Sequence, residues 1–502
     1  MCGLCGVYGA SDLPSIEAMI DRIRHRGPDG DGVSWLPDGT LGHTRLAILD
    51  VEGGRQPMHY GRTWISYNGE TYNHLALRRQ YLPDQVFHTH SDTETILHLY
   101  RKLGPQCIPL LDGMFALAIL DPSGLLLARD PLGIKPLYTA KAGDRLYFAS
   151  EIKALTMISD EIQEFPAGHY YHSSQGWQKY FRLRDAESAV QDDVAPVDDE
   201  PQTLRQVYAV LNEAVQKRLL SDVPLGISLS GGLDSSIVAA LARQGLDRLE
   251  TFAVGVAGSS DLAAAQVAAQ HLGTVHHERQ YTAADMLRVL PEVIYHLESF
   301  DPALVRSAIP NFFLAQLSSG YVKVFLTGEG ADELYAGYDY LSEYQDPAAL
   351  QNELLHITLA LHNTNLQRAD RMSMAHGLEA RVPFLDLAVV CQAFDIPPAW
   401  KLHQAGQPPK ALLRRAFAGL LPEAILQRPK EKFSKGAGSS QVLAEQARQA
   451  ISDQEFEREQ ERLLAEWQYN LPDKEALYYY RILRQSYKDE WIFPGMGHSR
   501  SL

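Results

Sequence analysis

Cysteine is scarce in this chain. Its 502 residues contain four, Cys2, Cys5, Cys107 and Cys391. Their spacing matches neither a metal site nor a disulfide framework, which points to a reducing compartment. No run of 18 apolar residues occurs, so no membrane-spanning helix is expected. The opening MCGLCGVYGASDL has no basic stretch and no long apolar stretch of the signal-peptide kind, and a cytoplasmic location is expected. Positive charge is also short: 46 Lys and Arg stand against 62 Asp and Glu, a net charge of −16. Such a chain repels phosphate backbones overall, so a general nucleic-acid binder is disfavoured, while a local anion site remains open. No repeat of 20–50 residues is visible. With 45% hydrophobic and 22% charged residues the composition is neither disordered nor fibrous, and the length suits two to four domains.

Residues 1–180 are rich in short β-like runs, among them Cys2–Tyr8, Leu41–Thr44, Thr63–Tyr67, Phe115–Asp121, Leu125–Arg129 and Arg145–Ser150. Asp38-Gly39 and Asn68-Gly69 read as turns between them, and helical stretches fall near 14–24 and 92–103. The pattern predicts an α+β domain with packed antiparallel sheets over residues 2–184. Residues 185–202 are acidic and poor in large apolar side chains, and read as a linker. From Thr203, read as a helix N-cap, the period changes. Strands at 225–230, 250–255 and 322–327 alternate with helices at 234–244, 261–272 and 283–296. That alternation predicts a doubly wound α/β domain over 203–440, with a parallel sheet and ligands at the carboxyl ends of its strands. A helical extension over 441–502 completes the chain.

Cys2 follows a Met that is a plausible removal site. Removal puts nucleophile and base on one residue, since a free α-amine has a pKa of about 7.7–8.0 and accepts the thiol proton. Alone, Cys2 reads as a small buried residue opening a strand. Its companions change that reading. In YNGETYN, read as a strand ending in a turn, Asn68 offers an amide N–H and Gly69 a closely approaching backbone N–H, the makings of an oxyanion hole. Arg45 suits a carboxylate. Glu70 and Asp92 suit an ammonium group. The set fits a zwitterionic amino-acid amide such as glutamine. The segments Cys2-Gly3, RHRGPD (24–29), RLAI (45–48), YNGETYN (67–73) and SDTE (91–94) occur in this order, and together they resemble the class II glutamine amidotransferase domain. The resemblance implies an N-terminal nucleophile hydrolase fold, an αββα sandwich of antiparallel sheets, with Cys2 as nucleophile. It also implies a glutamine site of Arg45, Asn68, Glu70 and Asp92, with Asn68 and Gly69 as the oxyanion hole.

A second motif, SLSGGLDSS over 228–236, runs from an apolar strand into a helix. Ser230, Gly231 and Gly232 offer successive backbone N–H groups, and Ser235 and Ser236 add hydroxyls at the helix start, a nest for phosphate or pyrophosphate. Asp234 is an unexpected charge there unless a cation intervenes, and Mg²⁺ resolves the conflict. The Lys of a Walker A loop is missing, as is the second Gly of a G-x-S-x-G elbow. SGGLDSS resembles the loop of ATP pyrophosphatases, which release AMP and pyrophosphate. LTGEGADE (326–333) is a second matching segment, with Asp332 joining Asp234 on the metal.

TFAVG (251–255), HLGTVHHE (271–278), GLEARVPFLD (377–386) and RPKEKFSKG (428–436) extend the match. With these, the chain resembles the glutamine-hydrolysing asparagine synthetase family over nearly its whole length. That resemblance implies ATP and Mg²⁺ as cofactors and glutamine as nitrogen donor. It implies aspartate or a related carboxylate as acceptor, with an ammonia tunnel between the sites. Leu229, Ser230, Gly231, Gly232, Ser235, Val254, Thr327 and Gly328 are carried over to the nucleotide site, and Asp234 and Asp332 to the metal. Lys430 is carried over as the group that steadies phosphate charge, and Glu329 and Glu379 as candidates for the proton of incoming ammonia. Arg306, in the loop 300–307, suits the acceptor's α-carboxylate. Ala303 and Leu304 stand where the family carries hydroxyl residues, which keeps a different carboxylate acceptor open as an alternative. A glutaminase or regulatory protein with a nucleotide-binding second domain is another. His276 and His277, on opposite faces of a strand, are read as structural, as are His88 and His90. No nucleic-acid or membrane partner is expected, and a homodimer remains open.

Overall fold

The structure is a computed structural model that describes residues 2–183, 199–403, 408–429, 439–488 and 492. Most of the expected linker (185–198) and Lys430 lie outside the described residues. Two six-stranded antiparallel sheets fill the first part of the chain. Their strands are β1 (Gly3–Tyr8), β2 (Gly30–Leu36), β3 (Gly39–Arg45), β4 (Met58–Tyr60), β5 (Thr63–Thr71), β6 (Gly113–Asp121), β7 (Gly124–Arg129), β8 (Tyr138–Ala142), β9 (Arg145–Ala149), β10 (Ile162–Glu164), β11 (His169–His172) and β12 (Gly176–Lys179). One sheet runs β10-β8-β9-β1-β3-β2, the other β12-β11-β7-β6-β5-β4.

Side-chain alternation explains the layering. Leu4 of β1 and Ala116, Ala118 and Leu120 of β6 share the apolar layer between the sheets. Cys5 and Val7 turn outward onto Ile16, Met19 and Ile20 of α1 (Leu13–Ile23). Phe115, Leu117 and Ile119 turn outward onto Ile96 and Leu99, beyond α2 (His74–Tyr81), on α3 (Asp92–Leu103). The order helix, sheet, sheet, helix is therefore the expected αββα sandwich. Asn68 and Gly69 do not form a turn. Both lie inside β5, opposite Ala116 and Phe115 of β6. Pairing with β6 continues past them, with Glu70 opposite Met114 and Thr71 opposite Gly113, and the turn comes after Thr71.

The helix expected to be capped by Thr203 begins earlier. In α4 (Glu200–Lys217), Asp199 accepts from the Gln202 amide at 3.0 Å, and Thr203 is interior. Pro201 sits in the first turn, where it sacrifices no helical hydrogen bond. A five-stranded parallel sheet follows. Its strands are β13 (Leu225–Ser228), β14 (Glu250–Gly255), β15 (Val275–Gln280), β16 (Val324–Leu326) and β17 (Glu379–Arg381), in the order β15-β14-β13-β16-β17. Helices cover both faces: α5 (Leu233–Gly245) and α6 (Ser260–Leu272) on one, α7 (Ala283–Leu297) and α8 (Pro302–Ser318) on the other. Ala253 of β14 packs with the first pair, Phe252 and Val254 with the second. The strand order reverses between β13 and β16, so their carboxyl ends open on the crevice where such sheets bind ligands. The segment 300–307 is not a loop as expected. Asp301 caps α8, accepting from the Leu304 amide at 3.0 Å, and Ala303, Leu304 and Arg306 are on its first turns.

Beyond β16 come α9 (Ala331–Leu334), α10 (Pro347–Leu359) and α11 (Asn365–Met374), then further helices that include Ser439–Ala450, Asp453–Trp467 and Lys474–Leu483. Among the described residues no helix is long and apolar enough to cross a membrane.

Candidate active sites

Cys2 is buried just before β1. Its backbone N donates to Asn68 Oδ1 at 3.0 Å, its Sγ lies 3.9 Å from the Leu46 carbonyl, and its own carbonyl accepts from Arg26 Nε at 3.0 Å. With its oxygen turned to Cys2, the Asn68 amide leaves Nδ2 buried and without a hydrogen-bond partner among the described residues. The backbone of Gly69 completes a second donor position. Phe115, opposite it on β6, spends its N–H and carbonyl on Asp130. In an antiparallel ladder that turns Gly69 N–H away from β6. It lies on the edge where Tyr67 N donates to Gln56 and Thr71 N to Asp92. A Cβ at Gly69 would stand 2.2 Å from the Met114 carbonyl, so close strand approach demands the glycine.

The charged groups gather on the same side. Arg45, half-buried, donates to the carbonyls of Asp50 and Val51, each at 2.7 Å, which fixes its guanidinium. Burial raises the Cys2 thiol pKa, and the Arg45 charge opposes that rise. Glu70 is buried; Oε2 pairs with Arg381 at 3.1 Å, and Oε1 has no hydrogen-bond partner among the described residues. Burial and neighbouring Asp92 push the Glu70 carboxyl well up, against the pull of Arg381. Burial also raises Asp92, which opens α3 and accepts from Thr71 N at 2.8 Å. Two acids raised by burial, Glu70 further by the Asp92 charge, make a site that an ammonium ligand would suit.

The second cluster sits at the carboxyl ends of β13 and β16. Gly231 has φ +69°, and a Cβ there would lie 2.4 Å from the Ala264 backbone, so the loop requires glycine on both counts. Gly232 precedes α5 with no side-chain cap, which leaves its first N–H groups facing the loop. Ser230 Oγ and Ser235 Oγ lie 3.1 Å apart, and Ser236 Oγ is buried without a hydrogen-bond partner among the described residues. Leu229 N bonds Phe252 O at 2.9 Å, which ties the loop to β14 beside Val254. A Cβ on Gly328 would be 2.8 Å from Asp234 Cβ, so this glycine lets the loop after β16 close on the loop after β13.

Asp234 and Asp332 are brought together as expected, with an unexpected third member. Lys410 Nζ lies 2.5 Å from Asp234 Oδ2 and 2.5 Å from Asp332 Oδ1. The pair fits a cation, since Asp234 Oδ1 is a buried acceptor without a hydrogen-bond partner among the described residues and an ammonium already bridges the two. No three His, Cys, Asp or Glu side chains converge to hold a metal among the described residues. Nucleotide phosphates would therefore have to supply the remaining ligands.

Glu329 pairs with Arg368 of α11, which also reaches Ser307 Oγ at 3.1 Å. Glu333, beside it, is held by Tyr338 and by Asn365 Nδ2 at 3.0 Å; burial and Asp332 raise its carboxyl to about 7. Glu379 is not with Glu329. It begins β17, takes Arg381 Nε at 2.6 Å, and acts electrostatically on Cys2 and Glu70, so it belongs beside the first cluster. Arg306 is half-buried and paired with Glu475 through Nε at 2.8 Å and through Nη2. A ligand carboxylate would have to compete with that pair. Arg428 contacts the Ser230 carbonyl at 3.4 Å and Asp261 at 2.7 Å, anchoring its segment at the phosphate loop. His276 and His277 pair with Glu278 and Glu250.

Sequence reading gave no role to Arg381, Arg368 or Lys410. Arg381 stands in GLEARVPFLD and was visible only as part of that motif. Arg368 and Lys410 carry no local signal, because their partners are 39 and 176 residues away.

A family profile described as a glutamine amidotransferase domain matches residues 1–185, and one described as asparagine synthase matches 206–353 and 342–491. Asparagine synthetase B (glutamine-hydrolyzing) of Escherichia coli K12 is 39% identical over 510 residues, covering 96% of this chain and 90% of that protein. The probable asparagine synthetase (glutamine-hydrolyzing) of Schizosaccharomyces pombe is 37% identical, with 96% and 93% covered. The corresponding protein of Sandersonia aurantiaca is 37% identical, with 100% of both covered. Among solved structures, glutamine phosphoribosylpyrophosphate amidotransferase from B. subtilis superposes only loosely, with a TM-score of 0.31 at 17% identity over 55% of this chain and 65% of that one.

Proposed function

This chain belongs to the glutamine-hydrolysing asparagine synthetase family, and on that premise we propose that it makes asparagine from aspartate in two coupled centres. At the first, the Cys2 thiolate attacks the glutamine amide carbon after its proton passes to the α-amine freed by loss of Met1. Asn68 Nδ2 and Gly69 N–H receive the oxyanion, Arg45 holds the substrate carboxylate, and Glu70 and Asp92 hold its ammonium. Ammonia leaves, and water cleaves the thioester to glutamate.

At the second centre the loop from Leu229 to Ser235, with Val254, Thr327 and Gly328, holds ATP. Asp234 and Asp332 would hold Mg²⁺, which neutralises charge on the β- and γ-phosphates when bound. An aspartate carboxylate oxygen attacks the α-phosphorus and pyrophosphate departs, with Lys430 proposed to steady the developing charge. Ammonia then displaces AMP, with Glu329 proposed to take the surplus proton. Adenylation is needed because a carboxylate is a poor acceptor for an amine.

One observation carries the joint reading. Arg381 pairs with Glu70 in the glutamine site, while its carbonyl accepts from Thr327 N, at 2.9 Å, in the nucleotide loop. β17 thus touches both clusters, which supports a short sheltered passage for ammonia between them. A second reading changes the acceptor. Ala303 and Leu304 offer no hydroxyls on α8, and Arg306 is already held by Glu475. The deciding measurement is ATP-dependent pyrophosphate release across a panel of carboxylates, with AMP and amide products identified. Stimulation by aspartate with asparagine formed is expected. Stimulation by another acid and not by aspartate would install the second reading, and no pyrophosphate with any acceptor would end both.

A further inference from the structure

A fully buried cluster of charges joins the two halves of the molecule. Arg26, Lys135, Glu151 and Lys153 come from the sandwich; Glu298, Asp370 and Arg371 come from the parallel-sheet half. Arg26 is the member nearest the nucleophile. Its Nε donates to the Cys2 carbonyl at 3.0 Å. Its other two nitrogens are taken by Asp370, Nη1 to Oδ2 at 2.8 Å and Nη2 to Oδ1 at 3.2 Å, and Nη1 also meets Glu151 at 2.6 Å. The side chain of Arg26 is 0% exposed, so water offers it no substitute partner.

We propose that Asp370 is a positioning residue for glutamine hydrolysis: the parallel-sheet half supplies, through Arg26, the support that fixes the Cys2 backbone. The proposal rests on Cys2 being the nucleophile. A guanidinium is a rigid plane, so gripping one edge with a carboxylate sets the direction in which Nε points. Nε holds the Cys2 carbonyl while Asn68 Oδ1 holds the Cys2 nitrogen, and together they fix the Cys2 backbone and the Cα–Cβ bond that carries the thiol into the site. Glu151 cannot do this alone, because it touches only Nη1 and is shared with Arg371 at 3.2 Å and with Lys153.

The same helix reaches the other centre. Two residues before Asp370, Arg368 of α11 pairs with Glu329. One short rigid element therefore holds a group at each centre. Neighbouring Arg371 adds a second tie to the sandwich, donating to the Ser150 carbonyl at 3.1 Å, while Ser150 Oγ accepts from Leu4 N on β1 at 3.0 Å.

The test compares wild type, Asp370→Asn, Asp370→Glu, Arg26→Gln, the Asp370→Asn/Arg26→Gln double variant and Cys2→Ala. Glutamine hydrolysis is followed with kcat and KM separated, beside ammonia-driven synthesis. Asp370→Asn is expected to lower kcat for glutamine hydrolysis about tenfold or more with KM for glutamine changed less than about threefold, as befits a misaimed nucleophile in an intact site. Ammonia-driven synthesis should persist, which also reports a folded protein. Asp370→Glu should recover part of the rate, and adding Asp370→Asn to Arg26→Gln should cost little more than Arg26→Gln alone. Glutamine hydrolysis at the wild-type rate in Asp370→Asn, or parallel loss of both activities in Asp370→Asn and Asp370→Glu alike, would overturn the proposal. Undiminished hydrolysis in Cys2→Ala would instead overturn the reading of the nucleophile itself.

Discussion

Asn68 divides its amide between two tasks. The oxygen fixes the Cys2 backbone, and the nitrogen is buried with no hydrogen-bond partner among the described residues. A buried donor without a partner is costly unless the reaction gives it one. Asn68→Ala should therefore lower kcat for glutamine hydrolysis by about 10²–10³ with little change in KM, the size found for losing one oxyanion donor; steady-state kinetics would show it, and a change confined to KM would count against an oxyanion role. Cys2→Ala should abolish glutamine-driven synthesis and spare synthesis from added ammonia, and loss of both would contradict separate sites. Lys410 poses a different question. Its ammonium bridges the two aspartates that Mg²⁺ would use. Without it, two close carboxylates lose the ammonium that bridges them. Lys410→Met should lower Tm by about 2–4 °C in metal-free buffer, on the order of 1–3 kcal/mol after allowing for partial exposure. Added Mg²⁺ should restore Tm in the variant and leave wild type nearly unmoved. Equal responses in a thermal scan would remove Lys410 from that position.

Among the elements, the two loops after β13 and β16 illustrate what close approach requires. Gly328 is where they touch, with no room for a methyl group beside Asp234 Cβ and Ser235 N. Gly328→Ala should raise the KM for ATP about tenfold or more in pyrophosphate release, by forcing the loops apart, while glutamine hydrolysis continues. An unchanged KM would mean the loops yield without consequence. β5 teaches the opposite lesson about glycine. Asn68-Gly69 has the composition of a hairpin turn, yet both residues are held extended in β5. The neighbouring strand β6 decides, because Gly69 is needed for the Met114 carbonyl to come close and not for an unusual backbone angle. The segment 300–307, expected to be a loop, holds the cap and first turns of the helix Pro302–Ser318. Pro302 in its first turn and the Asp301 cap are the signals that locate it.

At the scale of the molecule, the halves share their interior. The apolar cluster around α1 continues into α7 and α8, and the cluster around the parallel sheet takes in Leu46, Ile48 and Met114 of the sandwich. The charged layer between them contains His25 and His296, their rings 4.6 Å apart. Burial, and then the Lys153 charge, lower His296 to about 2; burial lowers His43 to about 3 and His376 to about 4. In each case the folded value lies below the unfolded one, so the unfolded chain binds the extra proton. The stability these histidines contribute is present above about pH 6.5 and is lost as pH falls toward the folded values, with a slope of about 1.4 kcal/mol per pH unit for each. Glu333, raised to about 7, works in the other direction over part of that range. Burial also raises Glu70, Asp92 and Asp130, and it lowers His25, His98 and His276 like the other three histidines. Six histidines against four carboxyls predict that Tm falls between pH 7 and pH 5, and the shared interior predicts that both halves melt together. A Tm that rises on acidification, or two separate transitions, would contradict this account of the interface.

The amino-acid sequence by itself determined the parts whose physics is local. Short β-like runs and helical stretches in the first half, and the strand-to-helix alternation after 225, placed β1, β3, β5–β7, β9, β13, β14, β16, α1, α3 and α5–α7 to within a few residues, and left β15, β17 and α8 unmarked. The loops that meet phosphate were visible because backbone N–H nests need glycine and hydroxyl residues in immediate succession. The N-terminal cysteine and its companions were legible because each motif is contiguous. Only the tertiary structure decided that Glu379 faces Cys2 and not the nucleotide loop, that Glu475 occupies Arg306, that Lys410 bridges the two aspartates, and that Asp370 holds Arg26. Each of these is an ion pair or electrostatic contact between side chains distant in sequence. No periodicity or propensity records such a pair, because its energy exists only once packing has removed both charges from water and left each with the other.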